Sequence, residues 1–417
     1  MTDLLSLTLL LLAWAENPAA GQIQAGAARL DLTPPVGGPL WGYAARQENP
    51  STAVRDKLQA RCLVLDTQGV RVAFVSLDFG RALPRRQADQ LQALAGKHGV
   101  QTLFVAASHT HHGPMLEIDT WPTPQTSYVR SLPDRLAQLI AQAVAALQPA
   151  RVGVSAKKVP LNRNRHTRDG SVDRQLLVLR AESLKGKAIA HLVHFAAHPT
   201  LLPSKEMRLS ADWPGAMAAA VEKETAAPCV FLQGAAGDLS PHGESDPEKF
   251  GGRVAREVLG LLPRLPLQDR VRPWKTHDER LTFRSRIRLD DPVVRLTMSL
   301  AFTPRLVNFF RQEYKDGVQP RLTTALLDGR IGFVGVSGEF FADHALHLKR
   351  RAKLEHLFFI GYCNDYHQYF PTIEAAARGG YGTEIYIAPA ELGAGEKIMD
   401  RALLLLYAHQ GKWPVPR

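Results

Sequence analysis

The chain has 417 residues, a formal net charge of +11, 45% hydrophobic residues and 22% charged residues. This composition is typical of a globular protein with a large core, and it excludes global disorder. The basic residues are dispersed and not interleaved with aromatic residues, so we expect no nucleic-acid partner. The charge is compatible with a solvated basic surface, or with attraction to an anionic membrane or to acidic substrates.

The N-terminal segment is apolar from Leu4 to Ala15, which is shorter than the roughly 20 residues that a membrane-spanning helix needs. We predict a signal peptide over residues 1–21, although Asp3 stands where a positive charge is usual. Residues 22–417 are then expected to be secreted or periplasmic. The three cysteines are widely spaced, which does not indicate a disulfide framework and allows one bridge at most.

Hydrophobic patterning predicts helices and strands that alternate along the chain. The predicted strands are 28–33, 61–65, 70–77, 103–107, 151–158, 175–181, 189–196, 230–233, 281–289, 321–326, 331–336 and 357–360. The predicted helices are 84–98, 133–147, 214–225, 247–262, 293–313, 341–353 and 396–408. Because tight turns join several strands, we predict an α/β fold, a layered sandwich of mixed β-sheets flanked by helices in a single large domain.

Three histidines follow the predicted strand 103–107, at positions 109, 111 and 112. Neutral imidazole is the commonest protein ligand for zinc and similar metals. In an extended segment side chains alternate, so His109 and His111 should face one side and His112 the other. Such histidines either form a metal or catalytic site or simply hydrogen-bond within a loop.

Further polar residues follow other apolar strands. His198 lies beyond the strand 189–196, and the small-residue loop that ends at Ser240 follows the strand 230–233. Such a loop either approaches a ligand closely or forms a tight turn. Glu339 stands between Gly338 and Phe340, where a carboxylate needs a partner, and a metal is one candidate. Strand ends are where sheet-based enzymes gather catalytic groups.

Taken together, these segments resemble the catalytic domain of the neutral/alkaline (non-lysosomal) ceramidases. Motifs in matching order run from about residue 25 to residue 390. They are Asp31-Leu32-Thr33-Pro34-Pro35-Val36-Gly37-Gly38 with Gly42-Tyr43, Ser76-Leu77-Asp78, Ser108-His109-Thr110-His111-His112-Gly113-Pro114, Asn162-Arg163-Asn164-Arg165, His198, Gly237-Asp238-Leu239-Ser240-Pro241, Gly338-Glu339-Phe340, Asn364-Asp365-Tyr366-His367-Gln368-Tyr369 and Gly380-Tyr381.

The resemblance implies a zinc-dependent amidase and assigns roles to residues of this chain. The implied zinc ligands are His109, His198, Glu339 and Tyr369. The other implied site residues are His111 as general base or acid, Ser240 as a required hydroxyl at the reaction centre, and Tyr381 with an arginine of the Asn-Arg motif as substrate-binding groups. That motif is doubled here, so Arg163 and Arg165 compete for the last role.

The implied reaction is hydrolysis of the N-acyl amide bond of ceramide or a related N-acyl lipid, which gives sphingosine and a fatty acid from ceramide. His112 departs from the small residue usual after His-Thr-His, and the Asn-Arg segment lacks its usual Ser-Pro continuation. The chain stops soon after the last motif, so we expect a short form without the C-terminal immunoglobulin-like domain. The alternatives are a metallohydrolase with another substrate, such as an esterase or peptidase, and a non-catalytic binding protein.

Overall fold

The computed structural model describes residues 19–117 and 123–414, so the predicted signal peptide lies almost wholly outside the described residues. The strands are β1 (Gly21–Asp31), β2 (Ala53–Val54), β3 (Gln59–Thr67), β4 (Val70–Leu77), β5 (Val100–Ala107), β6 (Gln148–Lys158), β7 (Asn162–Asn164), β8 (Gln175–Ser183), β9 (Ala188–Phe195), β10 (Arg208–Leu209), β11 (Cys229–Gln233), β12 (Leu239–Pro241), β13 (Arg270–Val271), β14 (Lys275–Arg280), β15 (Arg321–Leu327), β16 (Ile331–Val336), β17 (Glu339–Phe340), β18 (His356–Ile360) and β19 (Tyr369–Phe370). The helices are α1 (Arg85–Gly96), α2 (Gln125–Ala145), α3 (Asp212–Thr225), α4 (Pro247–Leu261), α5 (Pro292–Ala301), α6 (Pro304–Glu313), α7 (Ala342–Ala352), α8 (Ile373–Arg378) and α9 (Ala394–His409).

Two mixed sheets form the centre of the molecule. The larger has the strand order β11-β9-β8-β6-β1-β3-β4-β5, with β13 also paired to β1. Its pairs β4–β5 and β9–β11 are parallel, whereas its other pairs are antiparallel. The smaller sheet has the order β14-β15-β16-β18, with only β16–β18 parallel. The predicted mixed sheets are therefore confirmed.

The two sheets pack face to face through aromatic side chains that are fully buried. Phe74 and Phe104 of the larger sheet stack at 5.1 Å, Phe333 and Phe358 of the smaller sheet stack at 4.7 Å, and Phe74 contacts Phe333 at 4.8 Å. Helices α1 and α2 cover the outer face of the larger sheet, and α7 and α9 cover that of the smaller one. Helices α3 and α4 pack on the β8-β9-β11 end. The result is a layered α/β sandwich in a single domain, as predicted.

Two predicted elements are not continuous in the structure. The helix predicted over 293–313 is broken into α5 and α6 because Pro304 lacks an N–H and holds Thr303 in an extended conformation, where the Thr303 side chain caps α6. The strand predicted over 281–289 is irregular, with single bridges from Phe283 to Val318 and from Ser285 to Ala390. Its alternation reflects buried Phe283 and Ile287 without a continuous neighbouring strand.

The described residues contain no helix that is long and apolar enough to cross a membrane. Cys62, Cys229 and Cys363 are all buried and free, so none of them forms a bridge. Burial raises the pKa of each thiol well above its usual value, which keeps them protonated.

Candidate metal centre

The predicted ligands converge because the segments that carry them leave the two sheets at neighbouring ends. His109 follows β5, His198 follows β9, and Glu339 begins the short strand β17 just beyond β16. Gln233 at the end of β11 ties two of these segments together, since its Nε2 donates to Ser108 O at 3.1 Å and to Ala197 O at 2.9 Å. This fully buried amide is a site-building residue that we did not predict from the sequence.

The imidazoles and the carboxylate meet through atoms that can bind a metal. His109 Nε2 lies 3.0 Å from His198 Nε2 and 3.3 Å from Glu339 Oε2, and His198 Nε2 lies 3.6 Å from the same oxygen. His111 Nε2 lies 3.4 Å from His109 Nε2. All four side chains are at least nine-tenths buried.

The hydrogen bonds behind the cluster show that these atoms fit a cation. His109 Nδ1 contacts Gly80 O at 2.6 Å and His198 Nδ1 contacts Ala236 O at 2.9 Å. A carbonyl only accepts, so both Nδ1 atoms donate, and in the neutral rings both Nε2 lone pairs face the cluster. Among the described residues, Glu339 Oε2 has no hydrogen-bond partner. Such outward carbonyl contacts are typical of metal-ligating histidines, and a divalent cation would relieve the mutual repulsion of the converging lone pairs.

Burial and neighbouring charges shift the pKa values of His111, His198 and Glu339. Burial, with the neighbouring His109, His112 and arginines, holds the pKa of His111 well below its usual value, and burial likewise lowers the pKa of His198. Burial would raise the pKa of Glu339, but His109, the Tyr366 hydroxyl and Arg165 outweigh it, so the pKa is lowered. A neutral His198 and an ionised Glu339 are the forms in which these two side chains bind a metal.

His111 and His112 face opposite sides, as predicted, but not because the segment is extended. The strand ends at Ala107, His109 has a left-handed φ of 71°, and residues 111 and 112 lie in a turn. The His111 ring packs against Tyr43 at 4.7 Å. Gly42 (φ 108°) is required here, because an added Cβ would lie 2.4 Å from His111 Cγ.

A buried guanidinium that we did not predict fixes the other side of this turn. Arg46 is 3% exposed and donates to the carbonyls of His111, Ser204 and Glu206. Its Nη2 also lies 2.5 Å from His112 Nε2. Arg46 therefore links two parts of the chain, the turn that contains His111 and the segment 203–206. His112, which departs from the family pattern, is the neutral partner of Arg46, because burial and Arg46 lower the pKa of His112 to about 3.

The tyrosines of the 362–369 segment surround Glu339. Tyr369 lies opposite Glu339 in the parallel β17–β19 pair, and Tyr366 donates its hydroxyl to Glu339 Oε1 at 2.5 Å. Arg165 Nη2 donates to Tyr369 Oη at 3.0 Å. The Arg165 guanidinium also stacks over the ring of Tyr381, which is 54% exposed, at 5.4 Å.

The remaining predicted site residues differ in placement. Of the two competing arginines, Arg165 reaches the cluster, whereas Arg163 is exposed on β7, opposite Ser240 of β12. Ser240 is half-buried, and its hydroxyl has no hydrogen bond among the described residues. Its strand is nevertheless tied to the centre, because the His198 N–H donates to Leu239 O at 3.0 Å. The role of Ser240 stays a prediction.

The cluster lies at the edge of a cavity of about 370 Å³. His111, Glu339, Tyr369 and Tyr381 contribute to its polar side. Its apolar lining includes Trp41, Met115, Phe302, Leu306, Phe310 and Ile387. An apolar cavity with a few converging polar groups is the usual form of a small-molecule site.

The fold and this centre define a layered α/β protein with a buried His/Glu cluster that opens into an apolar cavity. The family model described as neutral/alkaline non-lysosomal ceramidase, N-terminal, matches residues 23–246. The chain belongs to this family.

Solved structures show the same fold. The crystal structure of a neutral ceramidase from Pseudomonas aeruginosa superposes with a TM-score of 0.75 at 18% identity, covering 95% of this chain and 75% of that chain. A structure described as a ceramidase complexed with C2 superposes with a TM-score of 0.74 at 18% identity, covering 95% of this chain and 76% of that chain. The likeness therefore extends beyond the residues that the family model matches.

Proposed function

We propose that the protein is a zinc-dependent amidohydrolase that cleaves the N-acyl amide bond of ceramide or a related N-acyl lipid. The observation that carries the proposal is the buried cluster of His109, His111 and His198 beside Glu339, at the edge of an apolar cavity. Glu339 Oε2 has no hydrogen-bond partner among the described residues. Membership of the ceramidase family supports the same reaction.

We assign the metal to His109, His198, Glu339 and Tyr369. These residues would hold a zinc ion, which would supply polarisation of the substrate carbonyl and a lowered pKa, of about 7, for a bound water. The chain's own residues prepare the site: Gly80 O and Ala236 O orient the two imidazoles, and the Tyr366 hydroxyl orients Glu339. Burial and Glu339 raise the pKa of Tyr369 well above its usual value, and Arg165, which donates to Tyr369 Oη, offsets part of this rise.

His111 is the proposed proton carrier. Its ring lies beside the cluster and burial keeps it neutral, so it can accept a proton from the attacking water. It then delivers that proton to the leaving amine nitrogen as the C–N bond breaks. The products are a carboxylic acid and an amine, which for ceramide are a fatty acid and sphingosine.

Arg165 and Tyr381 are the proposed carbonyl-binding groups, and Ser240 is the third polar contact with the substrate. Tyr381 borders the cavity, and its hydroxyl can donate to the substrate oxygen as negative charge develops there. Burial raises the pKa of Tyr381, which keeps that donor protonated. The apolar walls of the cavity suit an acyl chain.

The first experiment is the metal content of the purified protein together with hydrolysis of a fluorescent N-acyl-sphingosine, beside matched esters and peptides. We expect about one zinc per chain and cleavage of the amide. Arg165→Ala should lower kcat, while the exposed Arg163→Ala serves as the matched control. Zinc with cleavage of esters or peptides only would support the alternative metallohydrolase, and zinc without any cleavage would support a binding protein.

We also propose that the protein is exported. The support is the apolar N-terminal segment. Expression of the full chain followed by N-terminal sequencing of the extracellular or periplasmic fraction tests this, with a mature terminus near residue 22 expected. Retention of the whole chain in the cytoplasm would contradict it.

A further inference from the structure

One helix exposes an apolar stripe. Val293, Leu296 and Leu300 of α5 are 72%, 61% and 75% exposed, and their spacing places them along one side of the helix. The opposite side is already used, because Val294 and Met298 are buried in the core. The side chains of the stripe therefore do not contribute to the core. Clustered exposed apolar side chains are typical of an interaction surface.

The stripe leads directly into the cavity. Ala301, Phe302 and Thr303, which follow Leu300 in the chain, line the cavity that contains Glu339 and His111. Leu306 and Phe310 of α6 continue the same wall. A binding partner in contact with α5 would therefore lie next to the apolar entrance of the proposed site.

Positive charge flanks the stripe. The segment that precedes α5 and the C-terminal end of α6 border an open groove of about 710 Å³. Its charged residues are Arg284, Arg288, Arg311 and Lys315, against Asp290 and Asp316. Arg284 is paired with Glu391 at 2.9 Å, and Lys315 with Asp316 at 3.9 Å. Arg288 and Arg311 are exposed and form no ion pair with any carboxylate of the described residues. The groove therefore has a net positive charge.

We propose that α5 and this basic groove dock the protein on an anionic lipid bilayer. An apolar helix face beside exposed arginines is complementary to such a surface, since the side chains enter the acyl boundary while the cations meet the headgroups. The inference rests on the proposed function in one respect: the docked lipid surface supplies the N-acyl lipid, whose chain passes from the bilayer along Phe302 and Leu306 into the cavity.

Vesicle binding tests the docking without reference to catalysis. The wild type should co-float with vesicles of phosphatidylcholine and phosphatidylglycerol, and more weakly with phosphatidylcholine alone or at high salt. The double variant Leu296→Glu/Leu300→Glu should lose about tenfold or more in vesicle affinity, because two leucines no longer enter the apolar layer. Both positions are exposed, so thermal unfolding should be unchanged.

Leu184→Glu is the matched control. Leu184 is 50% exposed in the turn before β9, at the opposite end of that strand from His198. Its vesicle affinity should equal that of the wild type. Equal vesicle binding by the α5 double variant, or failure of the wild type to bind, would overturn the proposal. Self-association that the double variant abolishes, without vesicle binding, would show that a second copy covers the stripe and would also overturn it.

Activity then separates docking from chemistry. With a short-chain, water-soluble N-acyl substrate the double variant should match the wild type, and with a long-chain substrate held in anionic vesicles its apparent KM should rise about tenfold with kcat retained. Equal loss on both substrates would contradict the docking role. Absence of amide cleavage by the wild type would refute the proposed function, whereas its vesicle affinity would still decide the docking.

Discussion

Two buried clusters of histidine and carboxylate lie close together in this protein, and they differ in what surrounds the carboxylates. In the first cluster, Glu339 meets His109 and His198, and no lysine or arginine of the described residues forms an ion pair with it. In the second, Asp365 and His367 lie near Glu313, within the distances of a metal site. There, however, Arg280 pairs with Asp365 at 2.9 Å, and Arg85 pairs with Glu313 at 2.9 Å.

The comparison shows that ligand type and spacing do not by themselves define a metal site. A carboxylate that is already paired with guanidinium groups has its charge compensated, and nearby cations oppose a second positive charge. In the second cluster the fully buried Asp365 also faces Arg81 at 3.7 Å. We therefore assign metal binding to the first cluster and structural stabilisation to the second.

The largest expected difference between the clusters is in metal content. His198→Ala should lose the metal and lower kcat/KM by about 10³-fold or more, since loss of Lewis-acid stabilisation costs several kcal/mol. His367→Ala, in the second cluster, should keep one equivalent of metal. Elemental analysis of both variants after dialysis makes the comparison. Metal loss in His367→Ala at native secondary structure would reverse our assignment.

Changes in the second cluster should instead lower the free energy of unfolding. Asp365→Asn removes a carboxylate that Arg81 and Arg280 share and leaves them only Glu117 and Asp89, respectively. We expect a loss of about 2 kcal/mol in the free energy of unfolding. The metal content of the folded variant should be unchanged. Urea denaturation measures the first quantity, with Asp316→Asn, whose side chain is 71% exposed, as the control near zero. A small change in the free energy of unfolding for Asp365→Asn would contradict the structural role of the second cluster.

The sequence was sufficient for the layers and for the convergence of the first cluster. Apolar runs locate most strands, and polar residues at their ends meet because the strands end together. The sequence could not exclude the second cluster as a metal site, because Arg81, Arg85 and Arg280 reach that cluster from segments that are distant in the chain. Motif order identified the family without showing which buried carboxylates already have partners.

Other features depend on contacts that no local pattern reports. Arg46 ends a short 3-10 helix (Ala44–Arg46), and nothing in the sequence around it predicts that it binds the carbonyls of residues 111, 204 and 206. Gln233 is similar, as an amide at the end of an apolar strand. The break between α5 and α6 did have a local signal, because Thr303-Pro304 is a helix cap followed by a proline at the first helical position.

Tyr366 connects the two clusters and should give an intermediate effect. Its N–H donates to Asp365 Oδ1 at 2.8 Å, while its hydroxyl donates to Glu339. Tyr366→Phe removes only the second contact, so we expect metal affinity to fall by about 10- to 100-fold and stability by about 1 kcal/mol. Competition with a chelator measures the affinity. Tyr407→Phe on α9, which removes a hydroxyl that donates to Arg351 O of α7, is the control.

The smallest expected effect is a change with pH in the cost of Asp365→Asn. Burial raises the pKa of Asp365, but His367, Arg280 and Arg81 outweigh it, so the pKa lies well below its usual value. A lowered pKa in the folded state gives stability that is present above the unfolded value of about 4 and is lost as the pH falls towards the folded value. With metal removed from both proteins, the difference in unfolding free energy should therefore shrink by about 1 kcal/mol between pH 7 and pH 3. A difference that grows on acidification would mean that Asp365 is protonated in the native protein, and the arginines would then no longer support the assignment of the second cluster to structural stabilisation.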